Sequence, residues 1–301
     1  MKLNANGIEI EYAAYGNPEH EPLLLIMGLG LQMISWPGVF IEMLLKANYR
    51  VIVMDNRDCG LSSELSDAQT PNLLWMGLKD KLGLSTQVPY TLSDMANDSV
   101  AVLDALGIQR AHVLGLSMGG MIAQRMAIHH PKRVHSLISI MSSSGAQGLP
   151  KPDPSLLQNL YKPLSGSQGF ESWVNKALES LQLIASPAFQ DELSEVKARV
   201  ELALQRSYRP MGIVRQTAAV MADSERADLL YLIKAPTLVV HGSLDPLVPI
   251  ACGRDTHKRI LGSVWLEIPD MAHDLSTKLT PVLMPHLLTF LHAHPLQAFS
   301  A

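Results

Sequence analysis

Cysteine is almost absent: Cys59 and Cys252 are the only two in 301 residues, which excludes a disulfide framework, and their spacing fits no metal site. Aromatic residues make up only 5% of the chain, so a rigid slot lined by rings is not expected. Basic runs are missing, and 24 Lys plus Arg against 28 Asp plus Glu leave a formal net charge of −4. Nothing here would track a phosphate backbone, so nucleic acid is not an expected partner. Long apolar runs are missing too. No stretch approaches the roughly 20 apolar residues of a membrane span, and "MKLNANGIEIEY" lacks the apolar h-region of a signal peptide. The expectation is a soluble, cytoplasmic chain with no membrane span; a homodimer stays open.

What is present is apolar residue in quantity, 47% against 17% charged, enough to bury a sizeable core. "PLLLIMG", "RVIVMD", "HVLGLS", "LISIMS" and "PTLVVHG" are short apolar runs bounded by turn residues and read as strands buried on both faces. "GIEIEYAAYG" alternates like a hairpin strand. Helices are expected over 36–46, 92–106, 118–129, 250–261 and 277–291. Alternating strands and helices predict a mainly parallel sheet covered on both sides. The alternation lapses over 144–227, a stretch of helical patterns and polar loops punctuated by proline. It reads as a helical cap inserted into a core made of 1–143 and 228–301.

Within "HVLGLSMGGM", Gly115-Leu116-Ser117-Met118-Gly119 fits G-x-S-x-G between a strand and a helix. At such a sharp turn a side chain at 115 or 119 would strike neighbouring backbone, which explains glycine on either side of the serine. The turn lifts the Ser117 hydroxyl above the sheet and aims the Met118 N–H, at a helix N-terminus, toward any anion forming there. The competing reading is a plain tight link. A serine hydroxyl is a weak nucleophile near neutral pH and needs a base that is itself oriented by a third group. Asp245 follows a buried strand by three residues in "PTLVVHGSLDPLVP", in a loop closed by Pro246 and Pro249; the loop after "LISIM" offers no carboxylate before Asp153. A turn aspartate bonding its own backbone is the alternative. His273, in "VWLEIPDMAHDL", follows the last expected strand. Of the other histidines, 129 and 130 end a helix, 286, 292 and 294 belong to the last helix, and 112 and 241 sit in or beside strands as structural residues.

With "MGLGLQ", "DNRDCGLSS", "GLSMGG", "HGSLDPLVP" and "MAHDL" in this order, the chain resembles the α/β-hydrolase superfamily over nearly its whole length. Within it the sequence looks most like small bacterial carboxylesterases of the aclacinomycin methylesterase type, with Met27-Gly28 where His-Gly is more common. The resemblance implies an α/β-hydrolase fold, with an eight-stranded, mainly parallel sheet, flanking helices and a helical cap. It also implies a serine esterase with Ser117 as nucleophile, His273 as base and Asp245 as orienting acid. The oxyanion hole would use the N–H groups of Leu29 and Met118. No metal and no cofactor are called for. Asp270 and Ala272 depart from the glycine-rich loop often found before the histidine.

"DNRDCGLSS" could be mistaken for a catalytic acid cluster of Asp55, Arg57 and Asp58; a structural role is expected, with Arg57 forking onto nearby carboxylates or carbonyls. Pocket candidates are Gly28, Trp36, Phe170, Trp173, Met211, Val248 and Met271, with core packing as the competing reading for the apolar ones. The expected substrate is a small-molecule ester with a short to medium acyl chain, or a methyl ester of a larger molecule. Lactonase, thioesterase, carbon–carbon hydrolase and perhydrolase activities, or a ligand sensor of the same fold, are the alternatives.

Overall fold

Alternate residues of a strand face opposite ways, and in this chain that period of two sorts the apolar residues into two cores. The computed structural model describes residues 1–82, 84, 86–160 and 169–296. Strands β1 (Lys2–Ala5) and β2 (Ile8–Tyr15) form an antiparallel hairpin. They are followed by β3 (Glu21–Ile26), α1 (Gly38–Lys46), β4 (Tyr49–Met54), α2 (Leu73–Lys81), α3 (Leu92–Ala105), β5 (Ala111–Leu116), α4 (Met118–His129) and β6 (Val134–Ile140). Helices α5 (Pro154–Leu160), α6 (Phe170–Gln182), α7 (Leu193–Arg206), α8 (Pro210–Met221) and α9 (Arg226–Leu229) come next. The chain then returns through β7 (Thr237–Gly242), α10 (Ile250–Arg259), β8 (Val264–Ile268) and α11 (Thr280–His292).

The eight strands lie in the order β1-β2-β4-β3-β5-β6-β7-β8. The first two run antiparallel to their neighbours and the rest are parallel. Leu24, Ile26, Ile52 and Val113 join Met95, Leu103, Ile122 and Met126 of α3 and α4 in one buried cluster. Leu23, Leu25, Val51 and Leu114 point the other way, onto Phe40 and Leu44 of α1 and Leu283 and Leu287 of α11. Helix α3 is fixed at its start by a capping box: Thr91 accepts from the Asp94 N–H while Asp94 accepts from the Thr91 N–H.

Some helix ends differ from expectation, and one helix is unexpected. Helix α1 starts at Gly38 because Pro37 is its extended N-cap, with Trp36 extended before it. Helix α11 starts at Thr280, and His294 lies beyond its end. Helix α2 has no counterpart in the sequence reading, since Leu74, Trp75 and Leu78 are exposed and no apolar stripe marks it.

Helices α5 to α9 occupy the interval between the adjacent strands β6 and β7, where the inserted segment is expected; its residues 161–168 lie outside the described residues. Buried ion pairs fasten it. Arg215 of α8 forks onto Asp58, Nε to Oδ2 at 2.7 Å and Nη2 to Oδ1 at 2.8 Å. Arg206 of α7 reaches Asp55 at 2.7 Å. At the far end, Asp223 receives Arg226 Nε at 2.5 Å and Arg125 Nε of α4 at 2.7 Å. Arg57 forks onto Asp98 of α3 at 2.6 and 2.7 Å, the structural use expected of it. Buried charges tolerate no loss of partner, so these pairs fix where α7 and α8 sit. Helix α8 lies so close that a Cβ on Gly212 would fall 2.1 Å from the Asp58 carbonyl oxygen. Among the described residues, no helix is long and apolar enough to cross a membrane.

Candidate active site

The strand order reverses direction between β3 and β5: the chain leaves β3 toward β4 on one side, and β5 toward β6 on the other. Loops diverging at such a point leave a crevice at the C-terminal ends of the strands. Met27 to Gly30 follow β3, and Ser117 follows β5, so both line this crevice.

Ser117 has φ 55° and ψ −118°, a left-handed backbone for a residue with a side chain. The strain is held by packing. A Cβ on Gly115 would lie 2.1 Å from the Gly119 carbonyl oxygen, and one on Gly119 would lie 2.0 Å from that of Ile26. Only glycine fits either place. The Ser117 N–H donates to the Ile140 carbonyl at 2.9 Å, and its own carbonyl accepts from Ser142 Oγ at 2.8 Å. The hydroxyl is thus left as the free end of a rigid corner.

Three segments far apart in sequence meet at that hydroxyl. Ser117 Oγ lies 2.9 Å from His273 Nε2, and His273 Nδ1 lies 2.8 Å from Asp245 Oδ2. Asp245 is further fixed by its Oδ1, which accepts the N–H groups of Leu247 at 3.0 Å and Val248 at 2.7 Å. His241 Nε2 donates to the Val248 carbonyl at 2.7 Å and stands 3.4 Å from Asp245 Oδ2. Burial pushes the Asp245 carboxyl up, but the His273 ring, the bonds from both histidines and the Val248 N–H outweigh it and hold the group at about 2. An ionised Asp245 accepts only, which places the His273 proton on Nδ1 and turns the Nε2 lone pair toward Ser117.

The backbone around His273 is clamped by the chain between α6 and α7. Its N–H donates to the Ile184 carbonyl at 2.9 Å, and the Ala272 N–H donates to Ser186 Oγ at 2.8 Å. The Ser186 N–H in turn reaches Asp274 Oδ1 at 2.8 Å. This bracing does the work that a glycine-rich loop would otherwise leave to its own turn geometry. No spacing in the sequence points to it, because the partners are 86 to 89 residues apart.

Gly28 packs against the serine: a Cβ there would be 3.3 Å from Ser117 Cβ. Among the described residues, the N–H groups of Leu29 and Met118 have no protein acceptor, while the intervening turn is closed by the Leu31 N–H on the Gly28 carbonyl at 3.3 Å. The other expected pocket residues have varied surroundings. Trp36 stacks on Phe40 at 5.4 Å inside one core, and Met271 is fully buried in the same core. Both take part in the apolar packing of that core. Phe170 and Met211 are exposed, and Trp173 is half-buried and stacked on Tyr208 at 4.7 Å. Val248 belongs to the support of Asp245. Cys59 is no rival nucleophile: burial pushes its thiol up to about 12, and Sγ donates to the Leu31 carbonyl.

Known proteins share this arrangement of chain. Rhodomycin D methylesterase of Streptomyces peucetius is 26% identical over 277 residues, covering 86% of this chain and 87% of that one. The pimeloyl-[acyl-carrier protein] methyl ester esterase of Aeromonas hydrophila is 26% identical over 232 residues, covering 76% and 79%. The crystal structure of the enol-lactonase from Burkholderia xenovorans superposes with a TM-score of 0.72 at 20% identity, over 97% of this chain and all of that one; it speaks for the fold alone. The family model for the alpha/beta hydrolase fold matches residues 21–276, from the first residue of β3 to just beyond His273, and the chain belongs to that family.

Proposed function

We propose that this protein is a serine hydrolase that cleaves carboxylic esters of small molecules through an acyl-enzyme. The observation that carries the reading is the unbroken relay from Ser117 Oγ to His273 Nε2 and from His273 Nδ1 to Asp245, at 2.9 and 2.8 Å, on a serine whose backbone can be held only by glycine neighbours.

In the first step Ser117 Oγ attacks the ester carbonyl carbon while His273 Nε2 takes the hydroxyl proton. The Leu29 and Met118 N–H groups are free to receive the oxyanion, and each such donor is worth on the order of 10²–10³ in rate. The imidazolium, stabilised by ionised Asp245, returns its proton to the departing alcohol. A water then repeats the sequence with His273 as base, and the acid leaves with Ser117 restored. Helices α5 to α9 act as a cap over this centre, and two of the relatives are named for methyl esters, which supports a methyl ester of a larger acid as the substrate. A small leaving alcohol asks for little room beside His273, and the size of the acid is left to the cap.

The test is a panel of p-nitrophenyl esters of increasing acyl length together with methyl esters of larger acids. Sustained turnover that falls at least ~10⁴-fold in a folded Ser117→Ala variant is expected. A stoichiometric burst without turnover, or turnover untouched by the substitution, would contradict the proposal.

A further inference from the structure

The two oxyanion donors are held in unlike ways. The Met118 N–H belongs to the serine turn itself and moves with it. The Leu29 N–H sits on a loop with glycine at 28 and 30, and Gly30 has φ +71°, a backbone with freedom to turn. Within the loop the Leu31 N–H reaches the Gly28 carbonyl at a long 3.3 Å, and a further hold comes from outside it. The neighbouring Gly30 N–H donates to Gln216 Oε1 at 2.8 Å, and Gln216 Nε2 donates to the Arg57 carbonyl at 2.8 Å. Gln216 is 1% exposed. Its helix, α8, is locked by the Arg215 fork on Asp58, and Ile213 of the same helix lies 3.1 Å from where a Gly30 Cβ would be. Resting on the ester-hydrolase reading, we propose that Gln216 is a positioning residue for the oxyanion loop, so that the inserted segment sets the direction of the Leu29 N–H.

The bond is one of a set that tethers the loop to α7 and α8. Gln32 Nε2 donates to the Ala203 and Ser207 carbonyls at 2.7 and 2.9 Å, and Arg206 Nη1 donates to Gln32 Oε1 at 2.6 Å. Those contacts hold the loop's far end. Gln216 alone among them touches the residue next to the donor. An acceptor that aligns a peptide without contacting substrate alters the transition state more than the ground state, where the carbonyl oxygen carries less charge. Its loss should therefore lower kcat and leave KM nearly alone.

Gln216→Met keeps the length of the side chain and removes both bonds; Gln216→Glu keeps an oxygen to accept from Gly30. Rates on p-nitrophenyl butyrate are expressed per active site, counted by titration to completion with a fluorophosphonate, so that misfolded protein does not enter. The expected result is a fall in kcat of about tenfold for Gln216→Met, with KM within about threefold and a matching loss of affinity for a trifluoromethyl ketone. A fall in kcat of less than about threefold, with or without a lowered Tm, would make Gln216 a packing residue and overturn the assignment. Should Gln216→Met not fold, Gln216→Leu, which also lacks an acceptor for the Gly30 N–H, decides: a fall in kcat of about tenfold with KM within about threefold supports the role, and a fall of less than about threefold overturns it. If the wild-type protein itself turns over no ester, the proposed function fails, and this role with it; wild-type turnover with an indifferent Gln216→Met sinks the positioning role alone.

Discussion

Among the described residues, two histidines each bridge a hydroxyl and a carboxylate, and only one of them has the makings of a site. His273 lies between Ser117 and Asp245 at the C-terminal edge of the sheet. His112, on β5, lies between Ser136 Oγ at 2.7 Å and Glu21 Oε2 at 3.0 Å, at the opposite edge. The same three chemical groups at similar distances are thus present twice. What differs is the backbone. Ser136 is a strand residue of β6, fully buried, and paired with His112 in the ladder just after a register shift. Ser117 stands on a left-handed corner, half-buried, beside two N–H groups without protein acceptors. The lesson is that a relay of side chains is cheap to assemble in a sheet, whereas a strained elbow with donors aimed beside it requires glycine at fixed places.

That contrast can be broken or sharpened by substitution. Asp245→Asn should have the largest effect: the amide keeps an oxygen for the Leu247 and Val248 N–H groups but offers His273 a donor, favouring the wrong tautomer. A loss of about 10⁴-fold in kcat is expected, with the fold retained by circular dichroism. His112→Gln comes next, and its effect should be on stability, not rate. Leaving the buried Ser136 hydroxyl poorly paired should cost about 1–3 kcal/mol in denaturant unfolding, while kcat per active site stays unchanged.

The same variant sharpens the comparison through pH. Burial pushes the His112 ring down to about 4, against the pull of Glu21. Below its ordinary value of 6.5 the unfolded chain binds this proton and the folded chain does not, so stability rises with pH across the interval between 4 and 6.5 and is fully present above it. Wild-type protein should lose stability as pH falls through that window, and His112→Gln should show a shallower slope in urea titrations at several pH values. Ser136→Ala should do least: no change in ester turnover and about 1 kcal/mol of stability. A rate loss there would erase the distinction between the two edges.

Much of the architecture is legible in the sequence because it rests on local pattern. Doubly buried strands read as unbroken apolar runs, β2 alternates like a hairpin strand, and Gly115 and Gly119 announce a turn where an added Cβ would lie 2.1 and 2.0 Å from backbone carbonyl oxygens. Ser117, Asp245 and His273 are legible for a related reason: each follows a recognisable strand end. Arg57 follows from the guanidinium's need for a forked partner. The remainder is not local. Gly30 and Gln216 are 186 residues apart, and Arg215 and Asp58 are 157 apart; neither pair has a spacing to read. Trp36, Met271, Phe170 and Met211 show a different limit. Apolar identity alone does not tell a core residue from a pocket wall or from an exposed helix face, and these four are divided between core and surface.

The most direct measurement is the site of covalent capture. Protein treated with a fluorophosphonate, digested and mapped by mass spectrometry should carry one adduct per chain, on Ser117, and the adduct should vanish in His273→Ala while Ser136 stays unmodified in both. An adduct on another serine, or ester turnover that persists with Ser117 unlabelled, would contradict the assignment of the elbow serine as the nucleophile.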